Sequence, residues 1–202
     1  MPRAYLDHAS TSPTRPVAVS AMVAWMAAAD PGRVHTEGRM ARAALEEARS
    51  QVAAFLGTRA RQVIFTSGAT EAINAAVYGA VASGAGTHIV VPSVEHSAVR
   101  DASLRAAGDR GVTWVGVDGS GRVDPSTIAD AIEADTALVH CQWANHEVGT
   151  LQPVREVVSL CRSRGVLVHV DAAAAVGQVP VAFDEIGADL LSVSAHKFGG
   201  PK

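Results

Sequence analysis

Between Val63 and Val193 the chain alternates short runs of Val, Ile and Leu with stretches of helical period. Strands are expected over 63–66, 88–91, 112–117, 137–141, 166–170 and 190–193. Helices are expected between them over 71–81, 97–107, 125–133 and 154–164. A strand that is apolar on both faces has to be covered on both faces, and a helix after each strand returns the chain to the starting end of the next. The pattern predicts an α/β fold, a mostly parallel sheet sandwiched by helices. Two helices precede it, over 17–29 and 38–56. The second sets Arg39, Arg42, Glu46 and Arg49 opposite Ala41, Leu45, Ala48, Val52 and Leu56, and Gly57 ends it. The expected organisation is an extended arm over 1–16 and two helices, together spanning 1–57, then a larger domain over 58–202.

Composition narrows the function classes. Apolar residues make up 48% and charged residues 18% of the chain, which is globular and slightly apolar. A net charge of −3 gives no general attraction to nucleic acid or to a membrane surface. No signal-like N-terminus and no apolar run of membrane-spanning length occurs, so a soluble, cytoplasmic protein is expected. The histidines are scattered, without metal-ligand spacing, and no metal is expected. Cys141 and Cys161 lie in apolar runs and read as core thiols. The abrupt end after Gly-Gly-Pro-Lys reads as the first part of something longer.

In an open α/β sheet, ligands bind beyond the carboxyl ends of the strands, so the residues after each strand carry the information. After 63–66 comes Ser67-Gly68-Ala69-Thr70-Glu71, small residues leading into a helix whose free N–H groups suit an anion. His96 follows the next strand, just ahead of a helix, where an imidazole can cap, stack on a planar ligand or move protons. The strand over 137–141 leads to a polar cluster that includes Asn145 and His146. Asp171 ends the most apolar strand, where a carboxylate needs a cation partner or a turn to cap. The last strand ends in Ser194-Ala195-His196-Lys197. A lysine at the end of an apolar strand either reaches water or gives up its proton and becomes a nucleophile. A phosphate cradle, a stacking imidazole, a ring-pairing carboxylate and a nucleophilic lysine are together what pyridoxal phosphate requires.

The motifs TSGATEAIN (66–74), EHSAV (95–99), ANHEVGTLQPV (144–154), HVDAAAAVGQVPV (169–181) and SAHKFGGPK (194–202) occur in the order found in cysteine desulfurases. YLDHASTSP (5–13) and HTEGRMARAALEEAR (35–49) also resemble that family's arm and first long helix. The family belongs to the class V aminotransferase group of fold-type-I pyridoxal-phosphate enzymes. The resemblance implies that Lys197 is the covalent anchor of pyridoxal phosphate and a proton carrier at the substrate's alpha carbon. It implies that Ala69, Thr70, Ser194 and His196 hold the phosphate. His96 would stack on the ring as acid and base, Asp171 would pair with the ring nitrogen, and Asn145 would lie near the ring oxygen and the substrate carboxylate. It further implies L-cysteine or a related amino acid as substrate, a homodimer, a sulfur-acceptor protein and a role such as iron–sulfur cluster assembly.

Three departures stand out. Ala174 replaces the family's glutamine, Asp30 to Val34 replace a glycine-asparagine-proline-serine-serine turn, and His146 replaces the second of two asparagines. The family's sulfur-accepting cysteine and carboxylate-binding arginine belong to a C-terminal region with no match here, and neither Cys141 nor Cys161 corresponds to that cysteine. This chain alone is therefore expected not to complete sulfur transfer. A different class V reaction, a lyase or aminotransferase, and a non-catalytic scaffold are the competing readings.

Overall fold

The computed structural model describes residues 4–84 and 86–202; the first three residues of the expected arm lie outside them. Five strands form one sheet: β1 (His88–Pro92), β2 (Val112–Val115), β3 (Thr136–Gln142), β4 (Leu167–Asp171) and β5 (Leu190–Ser192). Their order is β2-β1-β3-β4-β5 and every pairing is parallel. The helices are α1 (Pro16–Trp25), α2 (Thr36–Leu56), α3 (Ala69–Ala82), α4 (Ser97–Ala107), α5 (Pro125–Ala131), α6 (Val154–Ser163) and α7 (Phe183–Ile186). The expected α/β sandwich is what the chain forms.

Alternation along the strands divides the core. Val90, Val139, Cys141, Val168 and Val170 face the side covered by α5, α6 and α7, where Ile128, Val157, Val158 and Ile186 meet them. Ile89, Val91 and Leu138 face the other side, against Ile73 and Val77 of α3 and Val99 and Ala102 of α4. Burying each such aliphatic side chain contributes about 1.5–3 kcal/mol, and both faces of the sheet share in it. Both cysteines are fully buried free thiols, as their apolar surroundings implied. Burial pushes the Cys161 thiol up to about 12, and Cys141 is raised by burial as well.

Two expectations need correction. Residues 63–66 are not a strand: they join no ladder, and Ile64 and Phe65 stay exposed. Val, Ile and Phe suit a pleated surface, but a strand also needs a neighbour, and among the described residues none pairs with this stretch. The first helix also stops early, at Trp25, and buries none of its residues. Val17, Val23 and Met26 are exposed along it. The short α7, which the sequence pattern did not indicate, caps at Gly187 in a left-handed conformation. No helix among the described residues is long and apolar enough to cross a membrane.

Candidate active site

Every strand delivers its carboxyl end to the same edge of the sheet, because all five are parallel. Lys197 sits in a single helical turn, Ala195–Lys197, two residues beyond β5, and is half-buried. Its backbone N–H donates to the Ser194 carbonyl, and Ser194 is buried. The N-terminal arm clasps this turn from outside. Ser12 donates its N–H to the His196 carbonyl at 2.8 Å and its hydroxyl to the Lys197 carbonyl at 2.9 Å. Arg15 N–H reaches the Gly199 carbonyl at 2.9 Å, and the His196 ring meets the Thr11 hydroxyl at 3.2 Å. Gly199 has φ +93°, and a Cβ there would stand 2.7 Å from Arg15 Cγ, so only glycine lets the arm approach this closely. Contacts across 185 residues of sequence were not legible beforehand.

Asp171 is buried at the end of β4. Its Oδ1 accepts from Ala173 N–H at 2.9 Å, so the carboxylate caps the turn after the strand, while no protein donor is assigned to Oδ2. Beside it lies Glu95. Burial, with the charge of Asp171 adding to it, holds the Glu95 carboxyl well above its usual range. Its Oε1 accepts from Gln142 N–H, and Oε2 is buried without a partner among the described residues. Two carboxyl groups thus stand together under the strand ends.

His96 caps α4: its Nδ1 accepts from Ala98 N–H at 3.1 Å. That bond fixes the neutral tautomer, with the proton on Nε2. The ring of His146 meets it edge to face, with centroids 5.3 Å apart and an interplanar angle of 61°. Burial, then the nearby Lys197 ammonium and His96, push the His146 imidazole below its usual value. Asn145, next to it, is buried and spends its side chain on the loop. Its Oδ1 accepts from the Glu147 and Val148 N–H groups, at 2.8 and 2.9 Å, and its amide donates to the Val94 carbonyl at 3.3 Å. Gln142 donates to the same carbonyl at 2.7 Å, so the His96 and His146 loops are stitched together.

Ala69 and Thr70 open α3, whose N-cap is Gly68. No side chain caps this end; Glu71 turns back to Ser67 N–H at 2.6 Å, and a Cβ on Gly68 would meet nothing within 4 Å. The first turn therefore offers free N–H groups in open space. Thr70 is exposed, and its hydroxyl does not cap the helix. The structure brings His96, Asp171 and Lys197 each within electrostatic reach of His146, while Thr70 makes no hydrogen bond to Ser194 or His196 among the described residues. His146 is the site residue that reading the sequence did not single out. The signal was there in its departure from a paired asparagine.

The sequence matches the family described as Aminotransferase class-V over residues 4–202. The chain belongs to the class-V aminotransferase family. Among curated members of related sequence, a cysteine desulfurase IscS of Dictyoglomus turgidum is 40% identical over 98% of this chain and 52% of its own length. An IscS-like cysteine desulfurase of Mycobacterium tuberculosis is 42% identical over 98% of this chain and 53% of its own length. A solved structure described as SspA in complex with cysteine superposes with a TM-score of 0.93 at 29% identity, covering 98% of this chain and 58% of that one. This class-V chain spans about half the length of the curated relatives it matches.

Proposed function

We propose that this chain is the cofactor-binding part of a pyridoxal-phosphate-dependent cysteine desulfurase. The observation that carries the reading is that Lys197, Asp171 and His96 stand at the exits of three strands of one parallel sheet, at the same edge, and each acts on the His146 ring. The residues fit the cofactor. The uncapped first turn of α3 suits a phosphate, with Ala69 and Thr70 at the turn and Ser194 and His196 opposite in the family pattern. The buried Asp171, with Oδ2 left over, suits a protonated pyridine nitrogen, since a buried carboxylate gains most from a cation partner. When bound, pyridoxal phosphate supplies an electron sink for the substrate's alpha carbon. Lys197 Nζ is the covalent anchor and then carries a proton, His96 Nε2 moves another, and the Asn145 loop borders the substrate end.

In the whole protein the substrate is L-cysteine, which leaves as alanine while its sulfur passes to a thiolate as a persulfide. Residues 1–57 serve as arm and helices, and 58–202 as the cofactor-binding domain. The protein works in the cytoplasm as a homodimer, handing sulfur to an acceptor protein such as one used in iron–sulfur cluster assembly. Exposed apolar side chains on α1 and α2, Val23, Met40 and Phe55 among them, give such a dimer or the remainder of the chain a surface to cover. A different class V reaction finds its support in Ala174 and His146, which alter the polar groups around the ring.

The test is to add pyridoxal phosphate, reduce with borohydride and map the modified peptide by mass spectrometry. Label on Lys197 alone is expected. Equal label on Lys197 and the exposed Lys202, or none, would overturn the reading.

A further inference from the structure

The two imidazoles at the sheet edge come from loops 50 residues apart in sequence, His96 after β1 and His146 after β3. They are not adjacent by accident of a mobile surface. The Val94 carbonyl accepts from both Gln142 and Asn145, which locks one loop onto the other. Asn145 then closes a tight turn through Glu147 and Val148, and Asn145 N–H donates to the Thr150 carbonyl at 2.9 Å. The turn leaves His146 as the side chain that leans on the His96 ring. His96 is fixed at one end by Ala98 N–H, so a second contact on the ring sets its plane as well.

We propose that His146 is a positioning residue of the reaction site, bracing the His96 ring and sharing its surroundings with Lys197. The proposal rests on the cofactor reading only for its catalytic consequence; the bracing itself is a property of the protein. Four ionisable groups surround His146: Lys197 and His96, which disfavour its protonation, and Glu147 and Asp171, which favour it. Glu147 is exposed, with its carboxylate 3.9 Å from His146 Nε2, so water screens much of its effect. Burial and then the Lys197 ammonium prevail, and the His146 imidazole is held below its usual value. When that ammonium is lost, His146 becomes the easier group to protonate. The contact therefore keeps the His96 ring correctly turned, and the nearby lysine couples to the ring that braces it.

The experiment is a histidine-labelled NMR titration of the full chain in three forms, wild type, Lys197→Met and His146→Asn. In wild type the His146 ring titrates below the ordinary histidine value, and Lys197→Met moves its midpoint upward. In His146→Asn the His96 ring resonances shift, because the ring that braces it is gone. His146→Gln, which keeps reach but no titrating ring, behaves like His146→Asn. A His146 ring that titrates as a free histidine, indifferent to Lys197→Met, overturns the proposal even if Lys197 takes the label. A His146 midpoint that answers to Lys197→Met supports it even if Lys197 takes no label, in which case the cofactor reading alone falls.

Discussion

The protein holds two edge-to-face imidazole pairs of nearly the same shape. His140 and His169 have centroids 5.0 Å apart at 75°, and His96 and His146 have centroids 5.3 Å apart at 61°. Position in the sheet separates them. The first pair lies in the middle of β3 and β4, fully buried; the second lies past the strand ends, half-buried. In the buried pair every nitrogen is used. Ser103 donates its hydroxyl to the Val99 carbonyl, so its oxygen can only accept from His140 Nε2–H, at 3.4 Å. His140 Nδ1 then accepts from His169 Nδ1–H at 2.9 Å, and His169 Nε2 accepts from the Ser192 hydroxyl at 2.8 Å. Four groups on α4, β3, β4 and β5 form one chain of hydrogen bonds with no proton to spare. In the second pair His96 Nε2–H points to no protein acceptor among the described residues. A histidine with every atom spoken for is structure, and one with a free donor at a strand exit is available for chemistry.

The largest test of this contrast is truncation. His169→Ala removes a buried ring and strands His140 Nδ1 and the Ser192 hydroxyl, and is expected to cost about 3–5 kcal/mol. His96→Ala loses a helix cap and is expected to cost only about 1 kcal/mol, while ending Lys197-dependent chemistry. Urea denaturation of both variants decides it; equal losses would erase the distinction drawn here.

Acid is the next largest. Burial pushes His169 from 6.5 down to about 4, and burial with the charge of His169 holds His140 well below its usual value. A group with a depressed folded pKa binds more protons when unfolded. Its contribution is whole above 6.5, falls away between 6.5 and about 4, and for His169 the gap amounts to about 3 kcal/mol. The geometry gives the reason: a second proton on His140 would set two N–H groups against each other at 2.9 Å. Stability measured by urea midpoint should therefore drop as pH falls through that window, and the drop should shrink in His169→Phe. A flat profile from 6.5 to 4 would show that the chain of bonds is not closed in solution.

The sheet was largely readable in the sequence because continuous Val, Ile and Leu runs and helical periods report burial, and burial decides strands and helices. The reading failed at Ile64-Phe65, where the local signal was strong and the missing ingredient, a neighbouring strand, is not a local property. The site was readable to the extent that strand exits are. Lys197, Asp171 and His96 each follow a run of apolar residues, so topology alone sends them to one edge. Asn145 shows the limit. Its side chain holds the loop, and the neighbouring His146 is the one that faces His96. Nothing in composition or spacing says which of two adjacent polar residues a turn will consume. The clasp by the N-terminal arm was invisible for the same reason: Ser12 in a hydroxyl-rich run has no periodicity that points to residue 197.

That clasp gives the smallest and most local prediction. Ser12 is buried, and its hydroxyl meets both the Lys197 carbonyl at 2.9 Å and the His8 ring at 3.0 Å. Ser12→Ala keeps the backbone bond to His196 but leaves the Lys197 carbonyl short of a donor, for an expected loss of about 1 kcal/mol. The loss should be confined. Hydrogen exchange at the Ser12 and Arg15 amides, which bond the His196 and Gly199 carbonyls, should quicken while amides of β3 and β4 keep their protection. Such a pattern would mean that the lysine turn is held open to adjustment by a separable arm, whereas the His140–His169 pair is part of the cooperative core. Uniform acceleration across the sheet would instead make the arm part of that core, and the contrast between a sealed centre and an adjustable edge would have to be given up.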